Sequence, residues 1–161
     1  MDYRVKKISH NLKLWRLFDQ RYSPLDGSGA SLIGGRWNSP GNPVIYASMT
    51  YSTALLEKIV HLGKSSIPKG QYYCKLTMPE NISSEKIFVN DISIWSSDVF
   101  LQTRKIGDKW KRENRSLILL VPSIVAMGLD YNALINPSHP EFFKIIVSNP
   151  KHVYFDQRLF K

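Results

Sequence analysis

Two arginines, a tyrosine and a glutamate are distributed over two apolar runs, a glycine-rich segment and a predicted helix, and their types suit one kind of chemistry. Arg16 lies inside the apolar run 12–18, and Arg36 follows two glycines. Tyr46 ends another apolar run, shortly before a helical segment that carries Glu57. Guanidinium groups can hold a diphosphate bidentately, and a carboxylate can stabilise an oxocarbenium-like transition state. The set therefore suits cleavage of a glycosidic bond in a phosphate-bearing substrate, with the aromatic ring as a stacking surface.

Each of these residues also has an ordinary structural explanation. Arg36 could be a surface charge and Tyr46 a core aromatic residue. Ser123 follows Pro122 where an apolar run stops, so its hydroxyl could cap the next segment. Glu57 falls opposite the apolar stripe of its helix, which is typical of a solvent-exposed glutamate. The residue types alone leave both explanations open.

Other chemical signatures are absent from the sequence. Gly63-Lys64-Ser65 ends like a phosphate-binding loop, but Lys58 stands where that motif needs its first glycine. The four histidines have no metal-ligand spacing, so we expect no metal site. Cys74 is the single cysteine, which excludes an internal disulfide and predicts a buried, neutral thiol in a strand. The sequence has no Gly-x-Ser-x-Gly motif, which would be the signature of a Ser-His-Asp catalytic triad.

The composition predicts one globular domain, over residues 1–161, with 43% hydrophobic residues and a formal charge of +9. Such a charge attracts polyanions. The densest basic stretch, 104–115, also contains Asp108 and Glu113, which is typical of a solvated helix or loop. The longest uncharged apolar run is far shorter than the roughly 20 residues of a membrane span. With no signal peptide in evidence, we expect a cytoplasmic protein that binds no membrane.

The elements that must position these residues follow from hydrophobic spacing and from turn residues. A helix is predicted from Thr50 to about His61, ended by Gly63, and residues 23–43 are predicted to form a long glycine-rich loop. Residues 83–113 should contain one or two helices with loops. We expect an α+β domain with a twisted, mostly antiparallel sheet and flanking helices. The predicted strands are 12–18, 43–47, 71–78 and 116–121, with an antiparallel pair formed by 144–148 and 152–155.

Three sequence blocks together resemble the RES domain family, in register from about Leu14 to Leu159. The first is glycine-rich, the second joins a strand to the helix of Glu57, and the third surrounds Ser123 and reaches the C-terminal region. They are Gly27-Ser28-Gly29-Ala30 with 34–41, 44–48 with 54–57, and 121–124 with 136–140 and 155–159.

The resemblance implies a fold like that of the ADP-ribosyltransferases and the activity of a toxin that depletes NAD, by hydrolysis or phosphorolysis. NAD is then the substrate, with no cofactor and no metal. The expected partner is an antitoxin with an Xre-type DNA-binding domain, so nucleic acid would be met only through that partner. We expect the antitoxin to cover the cavity mouth formed by residues 27–41.

The resemblance also implies roles for individual residues, because the family is named after an arginine, a glutamate and a serine. Glu57 and Ser123 match their motifs, and both Arg16 and Arg36 stand in motif positions. Tyr46 matches the family's pocket tyrosine, and Tyr22 lies where a second pocket aromatic residue could fall. We therefore expect Glu57, Arg36 and Ser123 to be catalytic, and Arg16, Arg36, Tyr46, Ser123 and Tyr22 to bind NAD.

Two alternatives stay open at this point. The same cavity could transfer ADP-ribose to a protein, because the sequence does not reveal what reaches the anomeric carbon. A non-enzymatic, basic nucleic-acid-binding module is the other alternative, and it predicts clustered positive charge with exposed aromatic residues. Here the aromatic residues alternate with strand-forming residues, which favours an enzyme.

Overall fold

Nine β-strands and three α-helices form within residues 4–62, 67–92 and 99–160, the part of the chain that the computed structural model describes. Short 3-10 helices cover Val89–Asp91, Phe142–Lys144 and Gln157–Phe160. The helices are α1 (Ser28–Ile33), α2 (Tyr51–Leu62) and α3 (Val99–Arg112). The strands are β1 (Lys6–Lys7), β2 (Leu12–Asp19), β3 (Ile45–Ser48), β4 (Gln71–Met78), β5 (Ser83–Lys86), β6 (Ile118–Pro122), β7 (Tyr131–Ile135), β8 (Ile146–Val147) and β9 (Lys151–His152).

All nine strands belong to one sheet, in the order β1-β5-β6-β7-β3-β2-β4, with β8 and β9 both on the outer edge of β4. Every neighbouring pair is antiparallel except β5 and β6, which are parallel. The prediction of an α+β fold with a mostly antiparallel sheet is therefore confirmed. No helix of the described residues is long and apolar enough to cross a membrane.

Both faces of the central strands are covered by apolar residues. Along β6, Ile118 packs into one hydrophobic cluster and Leu119 into the other, because successive side chains of a strand point to opposite faces. The first cluster includes Cys74, which is buried in β4 as expected. Trp37 and Trp110 belong to the second cluster, which lies on the same face as Tyr46.

Helix α2 begins where the sequence predicts. The backbone N–H of Thr53 donates to the hydroxyl of Thr50 over 3.2 Å, so Thr50 caps the helix. The predicted helix stop at Gly63 lies outside the described residues. In the segment 83–113 the structure has β5 as well as a helix, α3, so the prediction of helices and loops alone is wrong for Ser83–Lys86.

Helix α3 docks on the glycine-rich loop through four residues of one face. The Thr103 hydroxyl donates to the Arg36 carbonyl (2.6 Å), and Arg104 Nε donates to the Gly35 carbonyl (2.9 Å). Asp108 accepts hydrogen bonds from the Ser39 N–H (2.9 Å) and the Asn42 amide (2.8 Å). Gly107 is buried between them, and a Cβ there would lie 1.8 Å from the Trp37 carbonyl oxygen. The predicted long loop is therefore ordered by α3, and it contains the short helix α1.

The predicted antiparallel pair of 144–148 with 152–155 is wrong. Both β8 and β9 pair with β4, at Leu76–Thr77 and at Tyr72–Tyr73. β8 and β9 run in the same direction. Three residues, 148–150, separate their pairings, whereas two residues, 74–75, separate the same pairings on β4. One extra residue on one strand is the spacing of a β-bulge. Pro150 has no N–H to donate to the ladder, so it marks the interruption instead of a hairpin turn.

Candidate active site

A cavity of about 670 Å³ opens between α2, α3, the glycine-rich loop and the strands β2 and β3. Its volume is within the range of ordinary small-molecule sites. Apolar and aromatic side chains form much of the wall, including Trp15, Trp37 and Val125. Its charged wall residues within the described ranges are Arg16, Arg36, Glu57, Lys58 and Arg104.

Glu57 is the carboxylate of this wall and is half-buried. The buried residues Thr53 and Ala54 precede it by four and three positions, so Glu57 shares their helix face, which is turned towards the sheet. Its Oε1 accepts hydrogen bonds from Ser123 Oγ (2.8 Å) and Asn132 Nδ2 (2.5 Å). The position of Glu57 opposite the apolar stripe of its helix predicts a solvent-exposed side chain, and this prediction is wrong.

Ser123 lies behind Glu57, with 0% of its surface exposed, and is absent from the cavity wall. Its hydroxyl donates to Glu57 and accepts the N–H of Ala126 over 3.3 Å. Both contacts are internal to the protein. The structure therefore places Ser123 as a support for the Glu57 carboxylate, and its catalytic and NAD-binding roles stay predictions.

Arg16 fills the gap where β2 and β3 separate, since these two strands share one residue pair, Trp15 with Ser48. Its Nη1 donates to the Tyr46 carbonyl (2.6 Å) and its Nη2 to the Asp26 carbonyl (2.8 Å). Burial lowers the pKa of Arg16 to about 10. Its Nε is buried beside the cavity and has no hydrogen-bond partner among the described residues. Because this N–H is closed to solvent, Arg16 contributes positive charge beside the cavity and not an exposed donor.

Arg36 and Arg104 stand around one aromatic ring, that of Phe100. The guanidinium carbon of Arg36 is 4.1 Å from the ring centroid and that of Arg104 is 5.9 Å away. Burial lowers the pKa of Arg36, and the nearby carboxylate of Glu57 opposes this effect. The two guanidinium groups therefore present fixed positive charge on one side of the cavity. Sequence reasoning misses Arg104, because 104–115 has the pattern of a solvated basic segment.

Tyr46 joins the cavity wall to the glycine-rich loop. Its hydroxyl donates to Asn38 Oδ1 (2.7 Å) and accepts the Trp37 N–H (3.2 Å). Burial raises its pKa to about 12. A Cβ at Gly35 would lie 2.6 Å from this hydroxyl, so a glycine is required there for the close approach. The ring lines the cavity while the hydroxyl holds the loop.

Tyr22 lies apart from the other predicted site residues. It is 53% exposed and absent from the cavity wall, and its ring is 5.7 Å from the Arg21 guanidinium. The structure therefore does not place Tyr22 at the cavity. Within the described ranges, no cluster of three or more histidine, cysteine, aspartate or glutamate residues could hold a metal ion.

The overall fold of this chain is similar to that of a chain in a solved structure. A chain in the crystal structure of the M. tuberculosis MbcT–MbcA toxin–antitoxin complex superposes with a TM-score of 0.70 and 14% identity, covering 90% of this chain and 85% of that chain. At this identity the likeness concerns the fold.

Sequence relatives define the family. A protein of Photorhabdus laumondii named "Toxin Res" is 34% identical over 92% of this chain and 97% of its own length. A "Toxin Res" of Yersinia enterocolitica is 34% identical over 92% and 99%. A "Prs ADP-ribosylating toxin" of Sphingobium sp. is 30% identical over 85% and 87%.

The chain therefore shares its fold with a chain of a solved toxin–antitoxin complex and is related in sequence to proteins that are named toxins. It belongs to the RES domain family, whose model matches residues 13–156. The family resemblance drawn from the sequence blocks is confirmed.

Proposed function

We propose that this protein is an enzyme that cleaves the nicotinamide–ribose bond of NAD in the cavity around Glu57. One observation carries the proposal. A single carboxylate, held by two internal hydrogen bonds, faces a described wall that otherwise contributes four cationic side chains. A dinucleotide has an anionic diphosphate and a bond whose cleavage leaves positive charge on a ribose, so it complements both parts of the site.

Cleavage of the nicotinamide–ribose bond needs few groups besides the Glu57 carboxylate and the cationic wall. The C–N bond between ribose and nicotinamide breaks, and its electron pair leaves with nicotinamide as a neutral base. Positive charge develops on the ribose ring, where the carboxylate of Glu57 stabilises it and orients the ribose hydroxyls. Water or inorganic phosphate then bonds to the anomeric carbon, and attack by water releases a proton.

The cations of the wall suit the rest of the substrate. Arg36 and Arg104, on the ring of Phe100, would hold the diphosphate oxygens in a fixed plane. Arg16, held by the carbonyl oxygens of Tyr46 and Asp26, would add positive charge beside the ligand. The ring of Tyr46 would stack on the nicotinamide. None of these roles needs a cofactor or a metal ion.

Transfer of ADP-ribose to a protein is the second candidate. It is supported by the Sphingobium relative, whose name describes it as a toxin that ADP-ribosylates Prs. The bond that breaks is the same in both reactions, and the groups that attack the anomeric carbon differ. A protein side chain would have to enter at the open mouth of the cavity.

The deciding experiment incubates the purified protein with NAD, with and without inorganic phosphate, and identifies the products by mass spectrometry. We expect nicotinamide to appear with ADP-ribose when water attacks, or with ADP-ribose 1″-phosphate when phosphate attacks. Modified protein with no free ADP-ribose product would support transfer instead. No loss of NAD under any condition, with folded protein, would refute the proposal.

The mouth of the cavity also supports the proposed antitoxin partner. Three apolar side chains of its wall are well exposed: Ile33 (76%), Val60 (57%) and Phe100 (46%). They belong to α1, α2 and α3, so together they surround the entrance. We propose that an Xre-type antitoxin covers this rim in the cytoplasm, where NAD is abundant, and that any contact with DNA is made by the antitoxin.

A further inference from the structure

Asn132 is a polar residue in the interior of the sheet. It lies on β7, where its cross-strand neighbours are Val121 of β6 and Ser48 of β3. The side chains of cross-strand neighbours lie close enough to interact directly. Asn132 also belongs to the cavity wall, so its amide stands between the sheet and the ligand space.

The amide of Asn132 connects Ser48 to Glu57. The Ser48 hydroxyl donates to Asn132 Oδ1 over 2.6 Å, and Asn132 Nδ2 donates to Glu57 Oε1 over 2.5 Å. Ser48 is only 3% exposed. Because an ionised carboxylate can only accept, the NH₂ end of the amide must face Glu57, and the Ser48 hydroxyl then donates to the amide oxygen. Ser48 therefore holds the amide in the orientation that Glu57 requires.

The hydrogen bonds to Glu57 fall on one of its two carboxylate oxygens. Ser123 and Asn132 approach Oε1 from two different parts of the chain, the turn after β6 and the strand β7. Two donors on one oxygen fix the plane of the carboxylate. Oε2, which receives no hydrogen bond from the described residues, is left for the ligand.

We propose that Asn132 is a positioning residue, anchored by Ser48, which holds the Glu57 carboxylate so that Oε2 faces the substrate ribose. This inference rests on the proposed NAD cleavage. It assigns a function to two residues that the RES signature of arginine, glutamate and serine does not include. Their action passes through Glu57 and not through contact with the reacting atoms.

The test compares Asn132→Leu, Ser48→Ala and the double variant. Leucine has the branched shape and the number of side-chain heavy atoms of asparagine but has no donor, so we expect kcat to fall about a hundredfold with a change in KM of about twofold or less. Ser48→Ala frees the amide and should cost about threefold to tenfold in kcat. In the Asn132→Leu background, Ser48→Ala should cost nothing further, because its effect passes through the amide. Equal losses in both backgrounds would overturn the inference.

A matched control separates positioning from a general loss of stability. Asn136 is a fully buried asparagine, one residue beyond β7, and its amide contacts Asn114 instead of the cavity. Asn136→Ala should lower the melting temperature and leave kcat of the folded protein within about twofold of the wild-type value. Circular dichroism confirms that each variant is folded. A kcat for Asn132→Leu above half the wild-type value would refute the proposal.

A readout without turnover keeps this inference distinct from the proposed function. The side-chain NH₂ signals of Asn132, assigned by their loss in Asn132→Leu, are followed by ¹⁵N NMR. We expect these signals to move in both Ser48→Ala and Glu57→Gln, and to stay in place in Asn136→Ala. If the wild-type protein leaves NAD intact while these signals move, the proposed function fails and the positioning contact stands. If they do not move, the positioning contact is refuted.

Discussion

Replacing Glu57 with glutamine removes one charge from the centre of the cavity and changes almost nothing else. The amide oxygen of the introduced glutamine can take the place of Oε1 and accept the same hydrogen bonds from Ser123 and Asn132. The side chain keeps its volume and its position on α2. We therefore expect Glu57→Gln to fold as the wild-type protein does, with a melting temperature within a few degrees.

The expected kinetic effect follows from the charges of the wall. With position 57 neutral, the described cavity wall retains four cationic side chains and no anionic one, so the NAD diphosphate should bind at least as well. The positive charge that develops on the ribose loses its stabilising carboxylate. Loss of one such group costs about a hundredfold to a thousandfold in rate, or about 2.7–4 kcal/mol of transition-state stabilisation. The loss should therefore appear in kcat and not in KM.

The assay measures nicotinamide release by the purified proteins, with NAD binding followed by calorimetry. Glu80→Gln is the matched control, because Glu80 is an exposed glutamate outside the cavity wall, and it should retain full activity. Expression of the wild-type chain alone should slow growth and lower cellular NAD, and Glu57→Gln should relieve both effects. A Glu57→Gln enzyme that keeps more than half of the wild-type kcat would remove Glu57 from the mechanism.

Three further predictions concern binding, stability and control. Arg36→Ala should weaken NAD binding by calorimetry more than Arg36→Lys, because only a guanidinium can hold two oxygens while stacked on an aromatic ring; equal affinity of both variants and the wild type would make Arg36 a structural residue. Burial tends to raise the pKa of Glu141, but hydrogen bonds from Lys7 and Ser83 lower it to about 2. The charged form therefore stabilises the fold above the ordinary glutamate range, and this stability is lost as the pH falls towards 2. Glu141→Gln should lower the free energy of unfolding by about 2 kcal/mol at pH 7 and by little near pH 2, and a loss of equal size at both pH values would contradict this account. In a complex with the antitoxin, hydrogen exchange should slow within residues 27–41; protection confined to distant segments, with NAD still able to enter, would refute direct occlusion.

The sequence predicts those parts of the fold that depend on local patterns. The strand 12–18, the strand 71–78 and the start of α2 at its Thr50 cap are found within a residue or two of their predicted positions. Ser83–Lys86 has no strand signature, because its residues are polar and yet three of them are buried. That burial comes from pairing with β1 and β6, which are distant in the sequence, so no local pattern could reveal it.

The candidate site follows the same division. Glu57, Arg16, Arg36 and Tyr46 are recognisable from motifs, and the structure brings all four to the cavity wall. Asn132 is not recognisable in this way, because a lone asparagine in a strand has no signature until the register places it beside Ser48.

A substitution at Gly107 could alter the part of the cavity wall formed by α3, although Gly107 itself does not line the cavity. A methyl group at this position cannot be accommodated beside the Trp37 carbonyl, so α3 would have to move away from the glycine-rich loop. Helix α3 carries Phe100 and Arg104, so its displacement would separate Arg104 from Arg36, the two arginines proposed to hold the diphosphate. Gly107→Ala should therefore be a detoxified allele, suitable for producing the protein in a host that the wild-type chain would harm. Since Ile33 and Val60 lie outside α3, part of the exposed rim would persist in such an allele, which could therefore be used to capture the proposed antitoxin from cells.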